Sequence, residues 1–328
     1  MSRLTPLQGD FYLAFALPDH NYTNQMSELD PKEHVRKNKN IASGYALSNM
    51  VKAEPYVDSI IELFESRLDQ MSQMGEKVQL DRWFNFCAFD VVGEITFSKR
   101  FGFVEQGRDI GGAIANSRKL VLYISLIGHA YWLHGILLGN PIIGWLNLQP
   151  SNHVFDTCLA AVEARKKNEK VRKDMMEQWL EQRRTHPDRM QEKEILAAAV
   201  SNIAAGADTI STTLQSIFYY LLRNPKHLNR LREELDDAQS HGKLSPIVAH
   251  MEAQKLPFLQ ACVSYPPHVQ CCHSLTRFVD QRRLPVSFCR ALWIAPCGWK
   301  RRRHYSWTDF PGRSMHIPRP QLRVRLLF

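Results

Sequence analysis

The sequence predicts a mainly α-helical domain over residues 1–263 and an irregular basic tail over residues 264–328. Three observations carry this reading. Long segments of the first part repeat apolar side chains at intervals of three and four residues, the period of an amphipathic helix. The composition, 44% hydrophobic and 23% charged, is globular and excludes collagen-like, disordered and disulfide-scaffold classes. The charge then divides at residue 263. Residues 264–328 hold 12 Lys and Arg, 11 of them Arg, against Asp280 and Asp309, a balance of +10. The other 30 bases and 31 acids balance to −1, so the chain's +9 belongs to the tail.

Taken in order, residues 31–50 place Pro31 in a first helical turn and carry a basic face. Residues 55–75 form an amphipathic helix that stops at Gly75. Residues 79–98 read as a largely apolar, buried helix interrupted by Asp90 and Glu94. From Leu120 to Phe155 there is no Lys, Arg, Asp or Glu. This stretch is marginal for a membrane span of about 20 residues. His129, His134, Asn140 and Pro141 interrupt it, so it reads as a buried or membrane-touching amphipathic helix. Residues 154–185 predict one long charged helix ending near His186-Pro187. A helix of about 30 residues follows, well beyond the usual range, until Asn224-Pro225 stops it and starts another. The tail, with seven of the 17 prolines, has no sustained period.

Seven cysteines without C-x-x-C pairs make neither a disulfide framework nor a zinc module, and they suit a reducing compartment. Cys271, Cys272 and His273 with Cys289 or Cys297 fit no zinc spacing, so no metal ligand is assigned. Met1 leads into SRLTPLQGDF without a basic-then-apolar leader. The expectation is an intracellular protein.

The informative segment is Ala204-Ala205-Gly206-Ala207-Asp208-Thr209, in the middle of the longest helix. Gly costs about 1 kcal/mol in a helix interior, and Asp and Thr compete there for backbone hydrogen bonds. Two readings stand. The small residues serve a helix–helix contact, with Asp208 and Thr209 capping a kink. Alternatively the helix admits a flat ligand against its backbone.

In its wider setting, the segment VSNIAAGADTISTTL resembles the long distal helix of the cytochrome P-450 superfamily of heme-thiolate monooxygenases. The likeness is in particular to fungal members such as the pisatin demethylases. The family pattern Ala/Gly-Gly-x-Asp/Glu-Thr is matched by Ala205-Gly206-Ala207-Asp208-Thr209. YYLLRNPKHLNRLREEL, GEKVQLDRWFNFCAFDVVGEITFSKRFGFVEQGRD and EPYVDSIIELFESRLDQ are similar to other family blocks in the family's order, over about residues 10–263. The resemblance implies an incomplete P-450 fold, its distal helical half. It implies that Ala205 and Gly206 let the helix approach heme, that Thr209 bonds iron-bound peroxide, and that Asp208 relays a proton. It places His34 and Arg36 toward a heme propionate, although Asn38 stands where the family has a base. The apolar stretch at 120–147 would be a substrate lid near the membrane. The resemblance further implies an apolar small-molecule substrate, a NADPH-cytochrome reductase as electron donor and an endoplasmic reticulum location. The family's N-terminal anchor has no counterpart here.

The likeness stops between Val263 and Ser264. KLPFLQACV looks like the start of the family's next helix, yet SYPPHVQ replaces its Glu-x-x-Arg. Cys289 and Cys297 lack the Gly and Arg context of the heme-ligating loop. Without a thiolate, oxygen cleavage has no driving ligand. The expectation is therefore a chain that does not retain heme and is catalytically incompetent as translated. Val263-Ser264 can be encoded by GTRAGT, the start of a fungal intron. Shifted by one nucleotide, residues 298–313 can encode a segment like the one that follows Glu-x-x-Arg in the family. A retained intron or frameshift explains a tail rich in Arg and poor in Lys and Glu. The alternative is a helical scaffold whose basic tail, with Arg301-Arg302-Arg303 among Trp299, His304, Tyr305 and Trp307, binds nucleic acid or an anionic membrane. On the family reading no nucleic-acid partner is expected.

Overall fold

Asp30 starts the first long helix. Its carboxylate accepts from Lys32 N at 2.8 Å, and Pro31 follows in the first turn, where a missing N–H costs nothing. The computed structural model describes residues 9–16, 23–134, 136–137, 140, 152–167 and 172–264. The tail and its cysteines, the boundary at 263–264 beyond Ser264, and the end of the apolar stretch lie outside the described residues. Every regular element among the described residues is helical, as the mainly α reading expects.

Two of the expected helices are broken, the first by a tertiary partner and the second at a new helix cap. Residues 31–50 do not form one helix. α1 (Pro31–Ile41) gives way to a 3-10 turn at Ala42–Tyr45, and α2 (Leu47–Gln73) restarts earlier than the expected residue 55, carrying Pro55 inside it. Trp179 makes the break. Its indole Nε1 donates to Ile41 O at 3.2 Å, and a Cβ on Gly44 would stand 2.7 Å from that nitrogen. Only glycine admits the ring there. Likewise 154–185 is two helices, α5 (Asn152–Lys167) and α6 (Met175–Thr185). Asp174 caps α6 by accepting from Glu177 N at 2.9 Å, and a capping carboxylate marks a new start.

The remaining long elements follow the periodicity. α3 (Leu80–Phe97) is apolar on all sides and is accordingly buried from Phe84 to Gly93. Its Asp90 is not a flaw. Oδ1 accepts from Gly102 N (2.8 Å) and Phe103 N (3.2 Å), and Oδ2 from Val104 N (2.9 Å), which seats the helical turn Phe103–Gln106. Glu94 pairs with Arg172 at 2.8 Å. α4 (Ala113–Ile127) starts where Asp109 accepts from Ile114 N and Ala115 N, both at 3.0 Å. α7 (Glu192–Arg223) is the longest helix, α8 (Pro225–Ser240) follows Asn224, and α9 runs Pro257–Ser264.

Contacts divide the chain into two units. The first comprises Met1–Gln73 and Leu80–Gln215. Its core gathers Ile60 and Phe64 of α2, Phe84, Phe86, Phe89 and Val91 of α3, Phe103, and Trp179 of α6, all fully buried. The second comprises, among the described residues, Met74–Gln79 and 216–264, with its own core of Leu221, Leu231, Leu244, Val248, Leu256, Phe258 and Leu259. There Glu234 of α8 caps α9, its two carboxylate oxygens accepting from Phe258 N and Leu259 N at 2.9 Å each.

Candidate functional site

α7 carries Ala204–Thr209 without leaving the helix. The awkward residues are accommodated one by one. Gly206 is the notch in which α3 rests: a Cβ there would lie 3.2 Å from Val92 Cγ2. Two further bonds hold α7 along α3, Asn202 Nδ2 to Thr96 Oγ1 at 2.6 Å and Gln215 Nε2 to Asp81 O at 3.4 Å. Ala207 is fully buried. The helix–helix use of the small residues is thus realised at Gly206.

Thr209 is exposed and turns its hydroxyl back along the helix, donating to Ala205 O at 2.8 Å with a longer contact to Gly206 O at 3.2 Å. Thr213 repeats the device on Thr209 O at 2.8 Å. Such back-bonding lets threonine stay in a helix at little cost. Ala205, Thr209 and Thr213 recur every four residues and so share one face, on which Thr209, Thr212 and Thr213 are open.

Asp208 points elsewhere. Its Oδ2 accepts from the hydroxyl of Ser117 at 2.5 Å, across to α4. Burial pushes its pKa up, while the Ser117 bond and the charge of Arg118 pull it back part of the way. The net result is a carboxyl that keeps its proton to a higher pH than an ordinary aspartate. Ser117 is 8% exposed and was not legible as a site residue, because IANSRK reads as an ordinary polar helix turn.

The two α1 residues join a different neighbourhood. Arg36 pairs with Glu33 at 2.8 Å and with Glu194, and these carboxylates hold its guanidinium more firmly protonated than usual. It also donates to Arg189 O. His34 meets Asn38 at 3.2 Å. Lys37 is paired with Glu28 at 2.5 Å. Glu194 lies in the first turn of α7, about 21 Å along the axis from Asp208 at 1.5 Å per residue. The structure therefore places Asp208 and Thr209 at the middle of α7 and ties Arg36 to that helix's first turn.

A family model described as Cytochrome P450 matches residues 14–264, well over half of the chain. The chain belongs to the cytochrome P450 family. It is 31% identical over 269 residues to a cytochrome P450 monooxygenase of Aspergillus terreus, a match covering 78% of this chain and 54% of that protein. It is 35% identical over 253 residues to the cytochrome P450 monooxygenase cicH of Emericella nidulans, covering 70% of this chain and 48% of that one. Against gsfF of Penicillium aethiopicum it is 28% identical over 314 residues, covering 91% of this chain and 62% of the relative. The chain spans about half the length of the first two curated relatives it matches.

Cytochrome P450 family membership implies heme, which needs an open face of small residues on one side and a thiolate on the other. The described residues fit the first requirement: Ala205 and Thr209 lie on the open face of α7. They do not fit the second. The cysteines described, Cys87, Cys158 and Cys262, are buried or half-buried, and that burial favours the protonated thiol over the thiolate a ligand must be. The carboxylates already paired with Arg36 also occupy the base expected to face a propionate.

Proposed function

We propose that this chain is the distal portion of a fungal cytochrome P450 monooxygenase that oxidises an apolar small molecule of secondary metabolism, and that it is catalytically incompetent as translated. The observation that carries the reading is the pair on α7: a part-buried carboxyl of raised pKa next to a hydroxyl on an open, small-residue face. Such a pair has what a proton relay needs. The acid keeps its proton to a higher pH than an ordinary aspartate, and the hydroxyl both accepts and donates. Asp208 and Thr209 are the residues assigned to that task, with Ala205 and Gly206 keeping the helix slim and His34 and Arg36 on the propionate side.

Incompetence rests on the cysteines. None of the described thiols suits iron ligation, and Cys289 and Cys297 lack the sequence context for it. Heme is accordingly not retained as a thiolate complex. The residues from 264 onward are proposed to be out-of-frame or intronic translation. In the intact enzyme, electrons would come from a NADPH-cytochrome reductase at the endoplasmic reticulum. Two stretches, Ile110–Leu133 and Glu192–Arg223, have the length and apolar composition to cross a membrane. Glu192–Arg223 is the more buried of the two and packs against α3 at Gly206, whereas Val121, Leu122, Leu126 and Trp132 in the first stretch are exposed and suit contact with a bilayer surface.

A carbon monoxide difference spectrum of the reduced full chain tests incompetence. The expected result is no thiolate-type Soret band, and its appearance would overturn the proposal. Sequencing the transcript across codon 263 tests the tail. A spliced message restoring Glu-x-x-Arg and a cysteine loop is expected; a message that reads into SYPPHVQ in the mature transcript would refute it.

A further inference from the structure

We propose that Ser117 is a positioning residue for Asp208: its hydroxyl holds the carboxylate against α4 and thereby couples the placement of α4 to the charge of the acid on α7. The role of Asp208 rests on the reading above, whereas the coupling itself is a property of this chain's side chains.

The argument begins with what a serine in an amphipathic helix ordinarily does. Ser125, on the same α4, donates to its own helix at Val121 O, 2.7 Å away. Ser117 instead donates across to Asp208, 91 residues later in the chain, at 2.5 Å. It does so from a buried position in the first turns of a helix that exposes Val121 and Leu122 further along. The burial is needed for the bond, because a hydroxyl in water has no reason to select one carboxylate.

The second part concerns what else touches Asp208. Among the described residues its hydrogen-bond partner is Ser117, and the charge that faces it is Arg118, also on α4. α3 presents the apolar Val92 to this stretch of α7, and the Thr209 hydroxyl is engaged with Ala205 O and Gly206 O. Everything that favours the ionised form of Asp208 therefore comes from α4. A shift of α4 removes both the bond and the charge at once, and the carboxyl is then left with burial alone, which favours the protonated form.

The test uses the full 328-residue chain, with aspartate carboxyls followed by carbon-13 NMR across a pH series. Asp208→Asn removes one titrating signal and so assigns it. Ser117→Ala is expected to move the Asp208 midpoint upward, and Ser117→Thr, which keeps the hydroxyl, to return it toward the unsubstituted value. Amide hydrogen exchange of residues 113–121 should quicken in Ser117→Ala and be restored in Ser117→Thr. An unchanged midpoint in Ser117→Ala, or equal displacement in both variants, would overturn the proposal. Should the alanine variant fail to fold, Ser117→Cys, a near isostere with a weak donor, must raise the midpoint; a midpoint equal to that of the unsubstituted chain overturns the idea. No heme enters this experiment. A thiolate-type band in the spectrum above would defeat incompetence and leave the coupling standing, and a flat titration would do the reverse.

Discussion

Asp174 and Asp208 are both carboxylates inside the first unit, and they are treated in opposite ways. Asp174 accepts from Arg165 at 3.1 and 2.6 Å, from Glu177 N at 2.9 Å and from the Ser98 hydroxyl, while Arg165 also donates to Phe97 O at 2.9 Å. The side chains of this pair are 6% and 1% exposed. Asp90 is handled in the same spirit, with three backbone amides around its two oxygens. Asp208 has one hydroxyl. Burial raises the pKa of Asp90 as it raises that of Asp208, so the direction of the shift is common to both. What separates Asp174 and Asp90 from Asp208 is the number of hydrogen-bond partners, although all three sit on or beside apolar helices.

Four substitutions break or sharpen that contrast. Arg165→Ala leaves the Asp174 carboxylate buried without its cation and should lower stability by about 3–5 kcal/mol in urea denaturation. A loss under about 1 kcal/mol would mean that the site is wetter than it looks. Asp90→Ala strands three amide N–H groups and should cost about 1–3 kcal/mol, read in the same way. Asp208→Asn should act in the other direction. Because the folded-state pKa is raised, stability from this group is full at low pH and lost as pH climbs from the unfolded carboxyl value through the folded one. The asparagine cannot ionise, so the variant should melt higher than the parent above that window and equal to it below. A variant that melts lower throughout would refute the sign. Thr209→Ala should change stability by no more than about 0.5 kcal/mol, since the side chain is exposed and bonds only its own helix.

The helices that the sequence announced are those whose pattern is decided locally. α3 and α7 have long apolar stripes and clear stops, and they appear within a residue or two of their expected ends. Of the two misread regions, the first was decided at a distance and the second by a carboxylate nine residues from its cation. Nothing in ASGY says that Trp179, far along the chain, will claim the Ile41 carbonyl, and nothing around residue 170 announces that Asp174 will find Arg165. The candidate site shows the same division. Asp208 and Thr209 were legible because polar residues in an apolar helix are locally unfavourable. Ser117 was not, because a serine at the start of a helix is ordinary until its partner is known. Gly206 was legible as special but ambiguous as to cause, and Val92 supplies a cause that a single helix cannot reveal.

The Glu234 clamp on α9 has a bearing on how the chain is made. Both of its amide partners, Phe258 and Leu259, and the carboxylate itself are encoded before codon 263. The clamp draws on no residue after Leu259, so whatever follows codon 263 is not needed to form it. Two messages identical through that codon and divergent after it would deliver nascent chains with the same first turn of α9 already fastened. The quality control that tells them apart must therefore read what comes later, since the beginning of the helix carries no mark of which message it came from.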